Sequence, residues 1–222
     1  MSIDELRNGT LSKSILAKHK TDEPESGFYD YDRDYYISYD QVKEIKSKTT
    51  EMFSNWMKIL NIDSYVDHQH TKDTPERLSR MYVDELLSFA YTPTPKLTTF
   101  KNINGSNLVK LDNVEINSLC AHHFVPFIGT AEISYIPNEK IVGLSKLPRL
   151  CRYFARKPSI QEELTIETIE YLNKILNPIA IFYKITAVHL CMKIRGVKSN
   201  ATTTTSKFLG DKTYYDLLVK GG

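Results

Sequence analysis

The chain has 222 residues, of which 41% are hydrophobic and 25% charged, a composition typical of globular proteins with a sizeable core. The formal net charge of +2 is too small to indicate nucleic-acid binding, so any anion-binding site should be local. No apolar run reaches the roughly 18 residues of a membrane-spanning helix, and the N-terminus lacks a secretory-signal pattern. Three cysteines do not form a disulfide framework, and the odd count favours a reducing, cytoplasmic location.

The periodicity of the sequence divides the chain into three parts. Residues 1–37 are polar and tyrosine-rich without a clean period, which predicts a partly disordered N-terminal extension. Residues 38–95 form an N-terminal helical segment, because apolar residues recur at helical spacing in two stretches, near 38–60 and 73–89. Residues 96–222 then form the third part, a predicted domain of their own.

Strand-like and helical patterns alternate within this third part. Residues 125–135 alternate apolar and polar side chains, as in a half-buried strand. Residues 143–154 repeat apolar side chains at helical spacing and include Cys151, which we interpret as a core thiol. A second helical stretch follows, and residues 179–197 predict another strand. The order of strand, strand, helix, helix, strand and strand predicts an α+β fold with an antiparallel sheet.

Two short cysteine–histidine stretches predict a metal site. Cys120 and His123 have the spacing of half a tetrahedral zinc site, and Cys191 follows closely on His189. Strand alternation would place four side chains on one face: His189, Cys191, Lys193 and Arg195. We therefore predict that Cys120, His123 and Cys191 bind zinc. Three protein ligands would leave a position for water, as in catalytic sites, whereas a spare histidine as the fourth ligand would make the site structural.

The remaining charged side chains suggest catalysis on a phosphorylated substrate. His122 and His189 are the natural candidates for a general base beside the metal, because imidazole titrates near neutral pH. Several basic residues occur in the segments that carry these motifs: Arg77, Arg80, Lys146, Arg149, Lys193 and Arg195. Arginine suits phosphate because its planar fork donates two parallel hydrogen bonds. Lys146 and Arg149 could equally form a solvated helix edge.

Taken together, these motifs resemble those of the GTP cyclohydrolase I family. The resemblance runs from about residue 40 to the end of the chain and rests on separated motifs in the same order, at residues 73–77, 81–86, 120–123, 143–146, 161–162, 189–191 and 195–197. It implies a tunnelling fold, in which four-stranded antiparallel sheets with two helices between the strand pairs join into a multi-subunit barrel. It also implies a homodecamer of two pentameric rings, with sites between subunits.

The resemblance further implies hydrolysis of GTP at C8, which releases formate and forms 7,8-dihydroneopterin triphosphate. The implied zinc ligands are Cys120, His123 and Cys191. The implied catalytic residues are His122, His189 and Ser145, of which the two histidines move protons. Glu162 would anchor guanine with Gln161 beside it, although Ser159 and Glu162 also have capping-box spacing, which explains this glutamate without a substrate. The triphosphate and ribose would be held by Ser145, Lys146, Arg149, Arg195, Arg77 and Arg80.

The chain departs from the family pattern at three positions and leaves two alternatives open. Ala121 and Glu163 stand where the family usually has glutamate and arginine, and Ser159 stands where it usually has glutamine. One alternative is a tunnelling-fold zinc enzyme acting on another purine nucleotide or a pterin. The other is a non-catalytic nucleotide-binding zinc protein. The intact His122 and His189 argue against the second, because a structural zinc site does not need them.

Overall fold

A computed structural model describes residues 39–103, 105 and 108–220. The predicted N-terminal extension, residues 1–37, lies outside the described residues. The described chain combines helices with a mainly antiparallel sheet, which confirms the α+β prediction. Among these residues no helix combines the length and the apolar character that crossing a membrane requires.

Seven α-helices occur in the described part of the chain. They are α1 (Tyr39–Ile59), α2 (His68–Thr71), α3 (Thr74–Arg80), α4 (Lys146–Ala155), α5 (Gln161–Leu176), α6 (Leu190–Lys193) and α7 (Tyr215–Lys220). Short 3₁₀ turns lie at Ile62–Ser64, Ser88–Tyr91 and Lys212–Tyr214, and a π-helical turn lies at Met81–Leu86. The helical pattern predicted near 73–89 is therefore divided between α3, the π-helical turn and a 3₁₀ turn.

Seven strands of the described residues form two sheets. The strands are β1 (Thr99–Lys101), β2 (Val109–Cys120), β3 (Pro126–Ile136), β4 (Lys140–Val142), β5 (Pro158–Ser159), β6 (Ala180–His189) and β7 (Thr202–Gly210). The small sheet pairs β1 with β4, and the main sheet has the order β5-β2-β3-β6-β7. The four long strands of the main sheet pair antiparallel, whereas β5 pairs parallel to the end of β2.

The helix α1 is held against the second helical stretch by specific side-chain contacts. The buried Ser79 hydroxyl donates to the carbonyl oxygen of Lys46 at 2.8 Å, and the Lys46 ammonium lies 2.6 Å from the Asp84 carboxylate. The rings of Phe53 and Tyr82 stack with centroids 5.7 Å apart. Burying a hydroxyl without a partner would be costly, so the Ser79 bond helps to fix the position of α1.

The core of the domain follows the patterns that the sequence predicts. In β3 the inward residues Phe127, Ala131, Ile133 and Tyr135 are buried. In α4 the apolar set Leu147, Leu150, Cys151 and Phe154 is buried. Cys151 is fully buried and accepts a hydrogen bond from the Tyr183 hydroxyl at 3.6 Å, so the prediction of a core thiol is confirmed. Burial raises the pKa of this thiol to about 12, which keeps it protonated.

Two local predictions are wrong. The predicted strand 179–197 ends at His189, where the chain turns into the one-turn helix α6, so strand alternation does not govern the residues beyond it. The predicted capping box of Ser159 and Glu162 does not form either. Ser159 belongs to β5, and the residue that precedes α5 is Ile160, whose side chain cannot cap a helix.

Candidate metal centre

The turn between β2 and β3 brings Cys120 and His123 to the same side of the chain. Cys120 ends β2, and its carbonyl oxygen accepts hydrogen bonds from the backbone N–H groups of His123 at 3.3 Å and Phe124 at 2.8 Å. The Cys120 N–H donates to Val125 at 3.0 Å, which closes the turn. Phe124 adopts the left-handed region with φ of 53°, a strained conformation for a bulky residue. The tight turn thus brings the Cys120 thiol and the His123 imidazole, three residues apart in sequence, next to each other.

The end of β6 brings Cys191 to this turn. The pairing of β3 with β6 sets His189 opposite Phe127, just after the turn, and α6 begins at the next residue. The potential ligand atoms of Cys120, His123 and Cys191 all lie within 4.8 Å of one another. Both cysteines are buried, whereas His123 is exposed. The predicted three-residue group therefore assembles, although a helical turn rather than strand alternation places Cys191.

The donor set and its spacing fit zinc. A tetrahedral site with Zn–S near 2.3 Å and Zn–N near 2.0 Å separates its ligand atoms by about 3.5–3.8 Å, which a small contraction of this group would reach. Burial and, to a smaller extent, the neighbouring Cys120 side chain raise the pKa of the Cys191 thiol. The thiolate form of Cys191 is therefore disfavoured unless a nearby cation compensates its charge. The group therefore has the composition of a site that is completed by a divalent metal ion.

Two further side chains lie against the metal group. The Nδ1 atom of His122 lies 3.7 Å from the Cys120 sulfur, and the His122 ring is exposed. The Arg195 guanidinium lies 2.7 Å from Nε2 of His123, and as an obligate donor it donates this hydrogen bond. Arg195 is therefore the basic side chain that the structure connects directly to the metal group.

His189 is held in a half-buried position beside the group. Its ring stacks on Phe127 with centroids 4.7 Å apart and an interplanar angle of 13°, and its Nε2 atom lies 2.9 Å from Oε1 of Gln161. Burial lowers the pKa of His189, and the negative charge of Glu162 partly opposes this shift. A lowered pKa favours the neutral imidazole, the form that can accept a proton near neutral pH.

Gln161 and Glu162 begin helix α5 but have different surroundings. Gln161 is only 1% exposed, and its side chain is bonded inside the protein, whereas the Glu162 carboxylate is exposed. The hydrogen-bond partners of Gln161 include Thr203 and Thr205 of β7. Neither these threonines nor Phe127 is predicted from the sequence to belong to the site. The run of four threonines at residues 202–205 predicts a strand, but it does not identify a partner for Gln161.

The other predicted substrate-binding residues lie on separate helices. Ser145 directly precedes α4, Lys146 is half-buried in its first turn, and Arg149 is exposed. Arg77 and Arg80 are exposed on α3, and Arg77 lies 3.5 Å from the Asp73 carboxylate. Within the described residues, no hydrogen bond or ion pair links these five side chains to the metal group. Their role in substrate binding stays a prediction.

The fold and the Cys–His–Cys group define the class of the protein as a mixed α+β protein with a candidate metal centre. The profile of the family described as GTP cyclohydrolase I matches residues 50–215. The chain therefore belongs to the GTP cyclohydrolase I family.

Several proteins named GTP cyclohydrolase 1 are similar to the chain. Those of Shewanella baltica (strain OS185) and Shewanella oneidensis are 36% identical over 170 residues, covering 76% of this chain and 78% of the relative. The protein of Shewanella amazonensis is 37% identical with the same coverage. Among solved structures, the archaeosine synthase QueF-Like in the apo form matches with a TM-score of 0.36 and 13% identity, over 46% of this chain and 94% of that one. That similarity is too low to inform fold or function.

Proposed function

We propose that this protein is a zinc-dependent GTP cyclohydrolase I, which hydrolyses GTP at C8, releases formate and forms 7,8-dihydroneopterin triphosphate. The observation that carries the proposal is the Cys120–His123–Cys191 group with two further histidines beside it, in a chain of this family. A purely structural zinc site has no need of those histidines.

Cys120, His123 and Cys191 are the proposed zinc ligands. Zinc bound there would supply Lewis acidity and would make water nucleophilic near neutral pH. With two thiolates and one neutral imidazole, the site would be formally neutral and would acidify water less than a site with three neutral ligands. We expect a neighbouring base to compensate, and the side chains of this chain supply one.

His122 and His189 are proposed to move protons at the reacting purine ring. The exposed His122 lies 3.7 Å from the Cys120 sulfur, and His189, two residues before Cys191, is held by Phe127 and Gln161. Ring opening needs a proton on the departing ring nitrogen and a base for the attacking water. Two histidines in different environments suit these two tasks, because burial lowers the pKa of one of them.

Guanine recognition is assigned to Glu162. Its exposed carboxylate can accept two hydrogen bonds, one from the ring N–H and one from the amino group of guanine. Adenine does not have these two donors side by side. We propose that Arg195 binds the triphosphate together with Ser145, Lys146, Arg149, Arg77 and Arg80. The short contact of Arg195 with His123 supports this role, because it brings a permanent positive charge to the metal group.

The main sheet has two open edges, which supports a multi-subunit barrel. In the described residues β7 pairs only with β6, and β5 covers β2 at Leu119 and Cys120 alone. Exposed strand edges of this length invite pairing with other strands. We therefore propose that equivalent sheets join edge to edge in a homodecamer. The basic residues are spread over α3, α4 and the segment after α6, and this separation fits a site that two subunits complete.

A second candidate, the same fold acting on another purine nucleotide, is favoured by one local observation. Two positions that depart from the family pattern are neighbours, because the Ala121 N–H donates to the Ser159 carbonyl at 3.1 Å. The buried Ser159 hydroxyl has no hydrogen-bond partner in the described part of the chain. Shortened side chains at adjacent positions beside Cys120 would change the shape of a purine site.

The proposed function is tested by incubating the purified, zinc-loaded protein with GTP, oxidising the products and measuring fluorescent neopterin and formate. GTP cyclohydrolase I gives both. The absence of both, while zinc is bound at stoichiometric level, would overturn the proposal. The inosine nucleotide, which lacks the 2-amino group, serves as the matched substrate control. Faster turnover of inosine triphosphate than of GTP would establish the second candidate instead.

A further inference from the structure

The side-chain amide of Gln161 has a fixed orientation. Its Nε2 atom lies 3.1 Å from the carbonyl oxygen of Ile185, 3.2 Å from that of Thr203 and 3.1 Å from the hydroxyl of Thr205. Backbone carbonyl oxygens only accept hydrogen bonds, so the donor end of the amide must face β6 and β7. The acceptor Oε1 therefore faces the opposite way, towards His189. Because Gln161 is 1% exposed, water does not compete for these bonds.

The hydroxyls of Thr165 and Thr205 complete this network without ambiguity. Thr165 donates to the backbone carbonyl of Gln161 at 2.8 Å, which commits its only hydroxyl hydrogen. In the 2.6 Å contact between the two hydroxyls, Thr205 must then be the donor. The Thr205 oxygen is left to accept from the Gln161 amide, which agrees with the orientation set by the carbonyls. The two threonine hydroxyl hydrogens thus each have one consistent position, and the two amide hydrogens of Gln161 are shared among its three acceptors.

The network determines which ring nitrogen of His189 carries the proton. Nε2 of His189 lies 2.9 Å from Oε1 of Gln161, and an amide oxygen can only accept. Nε2 must therefore be protonated when the imidazole is neutral, which leaves the lone pair on Nδ1. Stacking on Phe127 restrains the ring plane, so the ring cannot readily turn over and exchange its two nitrogens.

We infer that Gln161 is a positioning residue that fixes His189 in the Nε2–H tautomer, so that the proton exchanged during catalysis moves through Nδ1. Thr205 supports this role by holding the donor end of the amide. The catalytic meaning of the inference rests on the proposed function, whereas the tautomer itself does not. It gives Gln161 a role separate from guanine binding and gives the threonine-rich strand β7 a part in the site.

Nitrogen NMR tests the tautomer directly. Zinc-loaded protein with ¹⁵N-labelled histidine would be studied by solid-state NMR, which tolerates a large assembly. The pH would be mildly alkaline, where an imidazole of ordinary pKa near 6.5 is neutral. The His189 signals are assigned by their loss in His189→Ala. We expect a protonated Nε2 and an unprotonated Nδ1. A protonated Nδ1 in the neutral ring would overturn the inference, whether or not the protein turns over GTP.

Variants of the network separate positioning from folding. Gln161→Met keeps the length of the side chain but removes the acceptor, and we expect a mixture of tautomers and a kcat lowered about 10- to 100-fold, with KM little changed. An unchanged tautomer in a folded Gln161→Met protein would overturn the inference. If that variant does not fold, Thr205→Val provides the test.

Thr204→Val is the matched control for Thr205→Val. Thr204 is exposed on the same strand, and its hydroxyl contacts the Thr186 hydroxyl at 3.2 Å and not Gln161. We expect Thr205→Val to lower kcat and to perturb the His189 nitrogen signals, Thr205→Ser to restore both, and Thr204→Val to change neither. Equal effects of Thr204→Val and Thr205→Val would show that β7 acts only through general stability and would overturn the role of Thr205.

Discussion

Replacing Cys191 with alanine should remove zinc from the protein while sparing the fold. The variant leaves Cys120 and His123 as a two-ligand remnant of a group whose atoms lie within 4.8 Å of one another. Losing a residue that merely orients a metal ligand costs about 10- to 100-fold in affinity, so losing a ligand should cost more than about 100-fold. Burial, and then Cys120, raise the pKa of the Cys191 thiol and keep it neutral in the metal-free protein, so its removal leaves no buried charge without a partner.

Cys151→Ala is the matched control, because it removes the same side chain from the apolar core. Cys151 is fully buried and accepts the hydrogen bond of the buried Tyr183 hydroxyl. Losing the sulfur leaves a small cavity and an unpaired donor, which together cost about 2 kcal/mol in free energy of unfolding. We therefore expect Cys151→Ala to keep zinc and lose stability. Cys191→Ala should lose zinc, and its metal-free form should keep most of the stability of the metal-free parent protein.

The assay is elemental analysis of each purified variant after dialysis against a weak chelator, combined with urea unfolding of the metal-free proteins. Near-stoichiometric zinc in Cys191→Ala would refute the ligand assignment. Zinc loss in well-folded Cys151→Ala would equally contradict it, because that cysteine lies in the core. Comparing the metal-free forms removes the stabilisation that zinc itself gives the native state.

Three further predictions concern His189, Cys151 and Gly129. His189→Ala should retain stoichiometric zinc by elemental analysis but lose turnover of GTP, and zinc loss would mean that His189 is a ligand. In metal-free native protein a thiol reagent near pH 8 should leave Cys151 unmodified until the protein unfolds, because the Cys151 thiolate forms only as the pH approaches its raised pKa of about 12. Modification of Cys151 at the rate of the other cysteines would contradict this. Gly129→Ala should lower the free energy of unfolding by about 3 kcal/mol, because an added Cβ would lie 2.0 Å from the Thr186 carbonyl oxygen. A decrease below about 1 kcal/mol in urea unfolding would contradict that close approach.

The parts of the fold that the sequence predicts are those with long periodic patterns. The alternation in β3 and the helical repeat in α4 are each sustained over about ten residues, which is enough to distinguish a strand from a helix. The same reasoning failed after His189. The four residues of α6 are too few to establish a period, and their alternation of apolar and other residues fits a strand as well as a helical turn.

The candidate site shows the same division between local and non-local information. Cys120 and His123 belong to one turn, so their spacing alone predicts that they bind the same metal ion. The role of Gln161 depends on β6 and β7 lying beside the start of α5, which is a tertiary contact that no local pattern contains. Likewise, the spacing of Ser159 and Glu162 matched a capping box, but pairing of β5 with the end of β2 took Ser159 into a strand.

The most direct test of the central claim is the amount of formate and of 7,8-dihydroneopterin triphosphate formed from GTP by one preparation, measured first without metal and then after zinc is restored. We predict negligible turnover by the metal-free protein and, with zinc, equal molar amounts of the two products. Formate without the pterin would mean ring opening that stops before ring closure. Equal activity with and without bound zinc, or no products from the zinc-loaded protein, would contradict the account.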